Sequence, residues 1–425
     1  MGHLWPLLLS ASLWLSVCAA GDNSTLQLVQ VLFRHGARTP VVVCPTDPHR
    51  DLWLDEGLGQ LTNQGKQMQF ELGQFLRTRY DGFLSEKYHE NYTLVRASDV
   101  DRTLMSAEVN LAGLYPPKGR DVWNPDLAWQ PIPVHTEPIT SDRLLNFMAA
   151  CPRYAIELKR VLNTTPLRLV EKQNQPLYEY LSQHCGAPVR DLEQAMLLFD
   201  LLLIEDARNW TLPAWATARL APYNATVYPD VLKPLNELAF DLLSYDAALR
   251  RLGGGALLAD ITEHLSQKVS GTLSPPNREL FMYSGHDSDV AALLGALGVY
   301  NGIAPPLASC VIVELHRDAS GAFFVELFYR NDTAVEPYQL RLPNCTGRCP
   351  WVAFRDLTAP VRVQDGAAEC APPPSGTPTA QEVTIIALAV SLTLLLVLCA
   401  IGLFIYCRRS RNGALAYSHF GEING

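Results

Sequence analysis

The spacing of apolar and polar residues predicts strands that alternate with amphipathic helices over much of the chain. A short, mostly apolar run covers 26–33 and stops at charged residues, as a buried strand does. Residues 64–79 instead carry apolar side chains at helical spacing, with a charged opposite face. Further strands are predicted at 92–97 and 281–284, further helices at 101–114 and 289–297, and a hairpin at 308–315 and 323–329. This alternation predicts an α/β fold with a mainly parallel sheet flanked by helices.

The middle of the chain, from about 140 to 275, has a mostly helical pattern. Long apolar-rich segments at 192–204 and 232–252 belong to it. We expect this region to form a helical lobe on the sheet domain.

An apolar segment lies near each end of the chain. Residues 4–17 are followed by Cys18-Ala19-Ala20, small residues suited to cleavage, so 1–20 is interpreted as a signal peptide rather than a buried helix. Residues 383–406 contain no charged side chain and are long enough to cross a bilayer. Three arginines follow this run directly and place the tail in the cytoplasm, namely Arg408, Arg409 and Arg411.

These segments predict a single-pass type I membrane protein of the plasma membrane or the lysosomal pathway. Residues 21–370 are expected to form its luminal or extracellular domain, joined to the anchor by a Pro-rich stalk at 371–382. The cytoplasmic tail is predicted at 407–425, where Tyr417 begins a Tyr-x-x-apolar pattern typical of sorting signals.

Cysteines and glycosylation sequons agree with this topology, because an oxidising compartment favours disulfides. An odd number of cysteines lies between the two apolar segments, so at least one thiol stays free or pairs between chains: Cys44, Cys151, Cys185, Cys310, Cys345, Cys349 and Cys370. Cys345 and Cys349 alternatively form half of a zinc site, although no second Cys/His pair lies nearby. Asn-x-Ser/Thr sequons start at Asn23, Asn91, Asn163, Asn209, Asn224, Asn331 and Asn344. We expect glycosylation at Asn91, Asn209 and Asn331. The net charge of −9 excludes a generic nucleic-acid binder.

Charged and polar residues follow three of the predicted strands, where the carboxyl ends of strands in an α/β sheet form a ligand crevice. The three segments are Arg34-His35-Gly36-Ala37-Arg38-Thr39-Pro40, Ser98-Asp99-Val100-Asp101-Arg102-Thr103 and Ser284-Gly285-His286-Asp287. Arginine guanidinium groups match phosphate oxygens, histidine can attack phosphorus, and a carboxylic acid can protonate a leaving alkoxide. The combination predicts phosphate-ester chemistry without a metal or other cofactor, because no ligand cluster accompanies the arginines.

The first segment, with the distant His-Asp pair, resembles the signature of the histidine acid phosphatases, R-H-G-x-R-x-P followed by H-D. The resemblance covers about 26–370, and the stretches at 98–107, 123–135 and 209–215 look very like mammalian members of that family. It implies a phosphoglycerate-mutase-like fold and an acid phosphatase that hydrolyses phosphate monoesters, with phosphotyrosine proteins among the candidates.

The resemblance also implies roles for individual residues. His35 takes the place of the nucleophile that carries a phosphohistidine, and Asp287 that of the proton donor. The phosphate-binding positions correspond to Arg34, Arg38, Arg102 and His286. Clustered arginines independently favour this scheme, because they keep His35 neutral and lower the pKa of Asp287. Taken singly, His286 also fits a buried core histidine and Asp287 a helix cap.

The same resemblance implies two disulfides, Cys151–Cys370 and Cys345–Cys349, and a homodimer with Trp129 and His135 at the interface. Cys310 matches a paired cysteine, but its expected partner position near Ile204 holds none, and Cys185 is the nearest substitute. The chain also departs from its mammalian relatives at Ala37, where they have Asp, and at Ser288-Asp289, where they have a Thr-like position. Asp289 adds a negative charge beside Asp287.

Three other functions remain open at this point. A catalytically weak ectodomain that binds a phosphorylated ligand or a partner protein is disfavoured by the intact nucleophile and acid. A phytase-like enzyme needs a strongly basic pocket, against which the acidic balance and Asp289 speak. A mutase of the phosphoglycerate type works in the cytosol, which conflicts with the predicted topology.

Overall fold

The computed structural model describes residues 25–221, 223–373, 383–385 and 387–403. The predicted signal peptide at 1–20, the sequon at Asn23, most of the predicted stalk and the tail with Tyr417 lie outside the described residues. The chain divides into two units, Met1–Ala371 and Pro372–Gly425, which are described separately.

The first unit is built on one large sheet with helices around it. Its strands are β1 Leu26–Arg34, β2 Thr93–Ala97, β5 Leu280–Gly285, β6 Cys310–Arg317, β7 Phe323–Arg330, β8 Tyr338–Leu340 and β9 Cys349–Pro350, with a separate short pair, β3 Arg219–Leu220 and β4 Ala225–Thr226. Its helices are α1 Arg50–Glu56, α2 Asn63–Arg79, α3 Asp101–Leu114, α4 Phe147–Ala150, α5 Pro152–Leu162, α6 Thr165–Cys185, α7 Leu192–Ala207, α8 Ala214–Thr217, α9 Leu232–Leu242, α10 Ala247–Gly253, α11 Gly255–Ser270, α12 Asp287–Ala296, α13 Trp351–Thr358 and α14 Gly366–Cys370. The α/β class with flanking helices is confirmed.

The sheet is mixed rather than mainly parallel, which corrects the expectation from the sequence. Its strand order is β2-β5-β1-β6-β7-β8, with β9 also paired to β7. Only β2, β5 and β1 run parallel, while β6 to β9 add antiparallel pairs. The β6–β7 hairpin, which the sequence did predict, accounts for one of these antiparallel pairs, because a short turn can only join antiparallel strands.

The central position of β1 explains its continuous apolar pattern. Strand β1 lies between β5 and β6, and seven of its nine residues are buried. Two hydrophobic clusters, one around Leu32 and Leu293 and the other around Phe33 and Leu111, include alternate residues of this strand. Because neighbouring side chains point to opposite faces, a strand covered on both faces is apolar throughout.

Helices α4 to α11 form the predicted helical region. Helices α4 to α10 share a hydrophobic cluster around Tyr178 and Leu198, whereas the buried apolar residues of α11 belong to the cluster around Leu32 and Leu293. The helical pattern at 232–252 is interrupted, because α9 ends at Leu242 and α10 begins at Ala247. Asp246 caps α10 by accepting a hydrogen bond from the Leu249 N–H at 3.0 Å. An N-cap residue has a non-helical backbone, so a new helix starts there.

Among the described residues of this unit, three disulfides join distant or neighbouring segments: Cys44–Cys185, Cys151–Cys370 and Cys345–Cys349. The last two are the pairs that the resemblance implied. Cys185 bonds to Cys44 and not to Cys310, which is a buried free thiol at the start of β6. The reason is proximity, since the Thr46 N–H donates to the Cys185 carbonyl at 3.3 Å and holds the two segments together.

The second unit contains an apolar helix, Val383–Leu403, with a mean hydropathy of 2.8 over its most apolar window. By length and composition this helix can cross a membrane.

Candidate active site

Three strand ends bring the predicted site residues to one edge of the sheet. Parallel pairing sets Arg34 beside Gly285, and Ala97 beside Ser284. The segments that follow β1, β2 and β5 therefore leave the sheet at neighbouring points. The six residues singled out in the sequence come together there, with Arg34 as the last residue of β1 and the others in the segments that follow the strands: Arg34, His35, Arg38, Arg102, His286 and Asp287.

Close approach of two backbones explains the glycine of the first motif. A Cβ at Gly36 would lie 2.2 Å from the Gly65 carbonyl oxygen, and a Cβ at Gly65 would lie 2.0 Å from the Ala37 carbonyl oxygen. The loop after β1 therefore packs directly against the start of α2. Ser106 of α3 accepts a hydrogen bond from the Gly36 N–H at 3.3 Å and holds the loop from a second side.

The imidazole of His35 is held in one tautomer at the centre of the site. Its Nδ1 lies 2.8 Å from the Gly36 carbonyl oxygen, which can only accept, so Nδ1 carries the proton. The lone pair then belongs to Nε2. Burial, together with the charges of Arg34, Arg102 and Arg38, holds the pKa of His35 well below its usual range. A neutral imidazole with a free Nε2 is able to attack phosphorus in acid.

The ring of His286 lies 5.6 Å from that of His35, centroid to centroid. Arg102 donates to its Nδ1 at 3.3 Å, so Nε2 carries the proton and donates to the Ser98 hydroxyl at 2.8 Å. Burial and the Arg102 charge lower the pKa of His286 to about 3. The ring is thus neutral and fixed by two partners, one of which, Ser98, sequence reasoning quoted without giving it a role.

Three guanidinium groups surround the two rings, and two of them hold carboxylates. Arg34 pairs with Asp287 at 2.7 Å and also donates to the Pro305 carbonyl at 2.6 Å. Arg38 makes a two-pronged pair with Asp200 of α7, at 2.9 and 3.1 Å. With both histidines neutral, three arginines against two carboxylates leave one positive charge. Each arginine also keeps a buried Nε–H that has no acceptor among the described residues, in Arg34, Arg38 and Arg102. This arrangement suits a phosphate group.

Asp200 was not found from the sequence. It lies 162 residues from Arg38, inside an apolar helical segment, and no local pattern distinguishes it. Nothing short of the contact between α7 and the loop after β1 identifies it.

Asp287 and Asp289 lie in the first turn of helix α12, and their pKa values are shifted in opposite directions. Burial opposes ionisation of Asp287, but the charges of Arg34 and Arg38 outweigh it and hold the pKa of its carboxyl below the usual value. Asp289 accepts a hydrogen bond from the His286 N–H at 2.8 Å and completes a capping box in which His286 is the N-cap. Burial, with the negative charges of Asp142 and Asp287, raises the pKa of Asp289 well above its usual value.

A separate cluster of titratable side chains lies on the antiparallel half of the sheet. Ligand atoms of Glu314, His316 and Glu326 lie within 4.8 Å of one another, a spacing that could hold a metal ion. Arg79 already pairs with Glu314 at 3.0 Å and Tyr80 donates to the same oxygen at 2.7 Å. These partners satisfy Glu314 as part of an ion-pair network.

Comparison with known proteins agrees with this geometry. Residues 25–330 match the sequence profile of the histidine phosphatase superfamily, branch 2. The chain is 41% identical to prostatic acid phosphatase of Bos taurus over 354 residues, covering 81% of this chain and 88% of the relative. It is also 41% identical to lysosomal acid phosphatase of Homo sapiens over 350 residues, covering 81% of this chain and 80% of the relative.

Solved structures of lower identity share the fold. A phytase from Citrobacter braakii superposes with a TM-score of 0.57 at 20% identity, covering 82% of this chain and 99% of the phytase. Hafnia alvei phytase in complex with myo-inositol hexakis sulphate gives 0.56 at 20% identity, covering 82% and 99%. The sequence relatives are phosphoric monoester hydrolases, and hydrolysis of phosphate monoesters fits the site. The chain therefore belongs to branch 2 of the histidine phosphatase superfamily.

Proposed function

We propose that this protein is an acid phosphatase that works through a phosphohistidine on His35, with Asp287 as the proton donor. The observation that carries the proposal is the tautomer of His35. Its Nδ1–H is held by the Gly36 carbonyl at 2.8 Å, which leaves the lone pair on Nε2 for attack on phosphorus. Arg34, Arg38, Arg102 and His286 hold the phosphate oxygens.

The reaction proceeds in two steps. Nε2 of His35 attacks phosphorus, the bond from phosphorus to the ester oxygen breaks, and Asp287 gives its proton to the departing oxygen. A water molecule then attacks the phosphohistidine, its proton goes to the Asp287 carboxylate, and inorganic phosphate leaves with Nε2 restored. The arginines stabilise the charge that spreads over the phosphate oxygens during both steps.

The acid pH range follows from two displaced pKa values. The low pKa of His35 keeps its ring neutral in acid, so the nucleophile is not lost as the pH falls. The lowered pKa of Asp287 shifts protonation of this proton donor to a more acidic range. Both effects favour turnover in an acidic medium.

Replacing the nucleophile tests the proposal. We expect His35→Ala to abolish phosphate release from every phosphomonoester, whatever its leaving group. The wild-type enzyme, quenched in alkali because phosphohistidine is labile in acid, should carry substrate-derived ³²P on the peptide containing His35. Retained activity in His35→Ala, or a label on another residue, contradicts the mechanism.

We also propose that residues 383–406 anchor the protein as a type I membrane protein after removal of a signal peptide at 1–20. The apolar helix Val383–Leu403 and the three arginines that follow residue 406 support this topology. Truncation before Glu382 should release an active, secreted domain. Membrane retention of the truncated protein contradicts the anchor.

Glycosylation is proposed at Asn91, Asn209 and Asn331, which are exposed or half-buried. Each asparagine should carry a glycan in the secreted protein, as measured by mass spectrometry after glycosidase treatment. An unmodified asparagine removes that site from the proposal.

A homodimer is proposed through the surface around Trp129 and His135. His135 extends the sheet beyond β2, since its N–H donates to the Val95 carbonyl at 2.9 Å. Trp123 is 59% exposed and Trp129 36% exposed on the same segment, an apolar surface suited to contact. Light scattering of the secreted domain should give twice the monomer mass, and Trp129→Glu should give the monomer. A monomeric wild-type domain contradicts the dimer.

A further inference from the structure

The proposed phosphate site opens into a cavity of about 610 Å³ that extends into the helical lobe. One end is lined by His35, Arg102 and Asp287. The walls beyond them come from α5, α7 and α9 and are mostly apolar, with Leu158, Met196 and Phe240 among them. A cavity that begins at the phosphate cradle is placed to receive the organic group of the substrate.

The charged side chains on these walls beyond the phosphate site are all acidic. Glu171, Asp191 and Glu193 line the cavity, whereas no lysine, and no arginine besides Arg38 and Arg102, does so among the described residues. Arg38 and Arg102 belong to the proposed phosphate cradle. A second anionic group on a substrate therefore meets carboxylates without a cation to pair with.

The helix start near these carboxylates reduces their charge only in part. Asp191 is the N-cap of α7, and Glu171 accepts a hydrogen bond from the Leu192 N–H at 3.2 Å. A helix N-terminus offers a positive partial charge of roughly half an elementary charge, which is smaller than three carboxylates. The far part of the cavity therefore keeps a negative potential.

Resting on the proposed phosphatase function, we propose that this cavity selects monoesters in which one phosphate is carried by an apolar body whose far end is cationic or neutral. The apolar walls favour a longer body, by up to about fourfold in affinity for each buried methylene. The carboxylates favour a cationic end and disfavour a second anion.

A series of synthetic alkyl phosphates tests the proposal with the full-length enzyme. The chains run from roughly four to ten carbons and end in methyl, trimethylammonium or sulfonate, the last two charges being independent of pH. Phosphate release gives kcat/KM for each compound at low ionic strength. We expect kcat/KM to rise with chain length until the cavity is full. At equal chain length, kcat/KM for the trimethylammonium compound should exceed that for the sulfonate compound by roughly tenfold or more. This ratio should decrease as added salt screens the carboxylates.

Charge-removing variants identify the residues involved. Glu171→Gln and Glu193→Gln should each reduce the ratio of trimethylammonium to sulfonate substrates. Glu179→Gln is the matched control, because Glu179 is an exposed residue of the same helix as Glu171 that does not line the cavity. The control should keep the wild-type ratio.

Non-hydrolysable alkyl phosphonates with the same three ends separate this proposal from the catalytic one. Their affinities, measured by calorimetry, should follow the same order as kcat/KM. Hydrolysis of p-nitrophenyl phosphate with equal affinities for all three ends overturns the cavity proposal and leaves the phosphatase proposal standing. Ordered affinities without hydrolysis of any ester overturn the phosphatase proposal alone.

Discussion

The replacement Asp287→Asn tests proton donation by this residue while keeping the shape of its side chain. The Asp287 Oδ1 accepts a hydrogen bond from the Ser288 N–H at 2.8 Å, and its Oδ2 pairs with Arg34 at 2.7 Å. An asparagine has the same shape and keeps a carbonyl oxygen as acceptor, but it has no acidic proton. The start of α12 should therefore remain folded while the general acid is lost.

The expected loss depends on the leaving group. An alkyl alkoxide is strongly basic and needs a proton as the bond to phosphorus breaks. The value of kcat/KM, which reports the steps up to departure of the leaving group, should therefore fall roughly 10²–10⁴-fold, the usual range for general acid catalysis. A p-nitrophenolate hardly needs that proton, and the loss should be far smaller. Removing one carboxylate raises the net charge of the arginines and carboxylates in the site from +1 to +2, counting Arg34, Arg38 and Arg102 against Asp200 and Asp287. KM should therefore not rise for either substrate.

The assay compares an alkyl phosphate with p-nitrophenyl phosphate, for wild type and variant, between about pH 3 and 7. In the wild type the alkyl ester should be hydrolysed faster as the pH falls, because the pKa of Asp287 lies below its usual value and protonation increases toward it. The variant should lose this dependence for the alkyl ester. Equal losses of kcat/KM for both substrates, or an unchanged pH profile, refute the role of Asp287 as an acid and leave it a structural residue of the helix start.

Three further changes test the contacts around the site. Ser98→Ala removes the acceptor of the buried His286 Nε2–H and should lower the free energy of unfolding by about 1–3 kcal/mol and raise KM. The control Ser141→Ala, at an exposed serine, should change neither quantity. An unaltered KM in Ser98→Ala argues against a role of Ser98 in positioning His286. The pKa of Asp289 is raised in the folded protein, so the folded protein binds this proton more tightly than the unfolded chain does. The resulting contribution to the free energy of unfolding is complete at a pH below the unfolded pKa and is lost as the pH rises through the folded pKa. Asp289→Asn should therefore raise Tm more at pH 7 than at pH 4, and equal shifts contradict this. The Cys151–Cys370 bridge spans 219 residues, so removing it should lower the free energy of unfolding by about 5 kcal/mol through loop entropy. Removing Cys345–Cys349, which spans 4 residues, should lower it by about 2 kcal/mol. The reverse order, measured by denaturant unfolding, contradicts this prediction.

Much of the fold could be predicted because its determinants are local. The helical spacing at 64–79 corresponds to α2 Asn63–Arg79, and the hairpin at 308–329 to β6 and β7. The break between α9 and α10 was also local, since Asp246 is an N-cap residue type, but the apolar spacing on both sides masked it. Side-chain period and turn residues act over a few positions, so they are visible without the tertiary structure.

The sequence by itself determined which chemistry was available, through the arginines and histidines that follow β1, β2 and β5, and it determined that these segments follow strands. The tertiary structure decided that β5 lies between β1 and β2, which brings the three segments together, and that Asp200 holds Arg38 from a distance of 162 residues in the chain. It also decided that Cys44, and not Cys310, bonds to Cys185. These outcomes depend on which segments pack against one another. The packing is determined by the burial of whole apolar faces of the sheet and helices, and each face is assembled from residues far apart in the sequence.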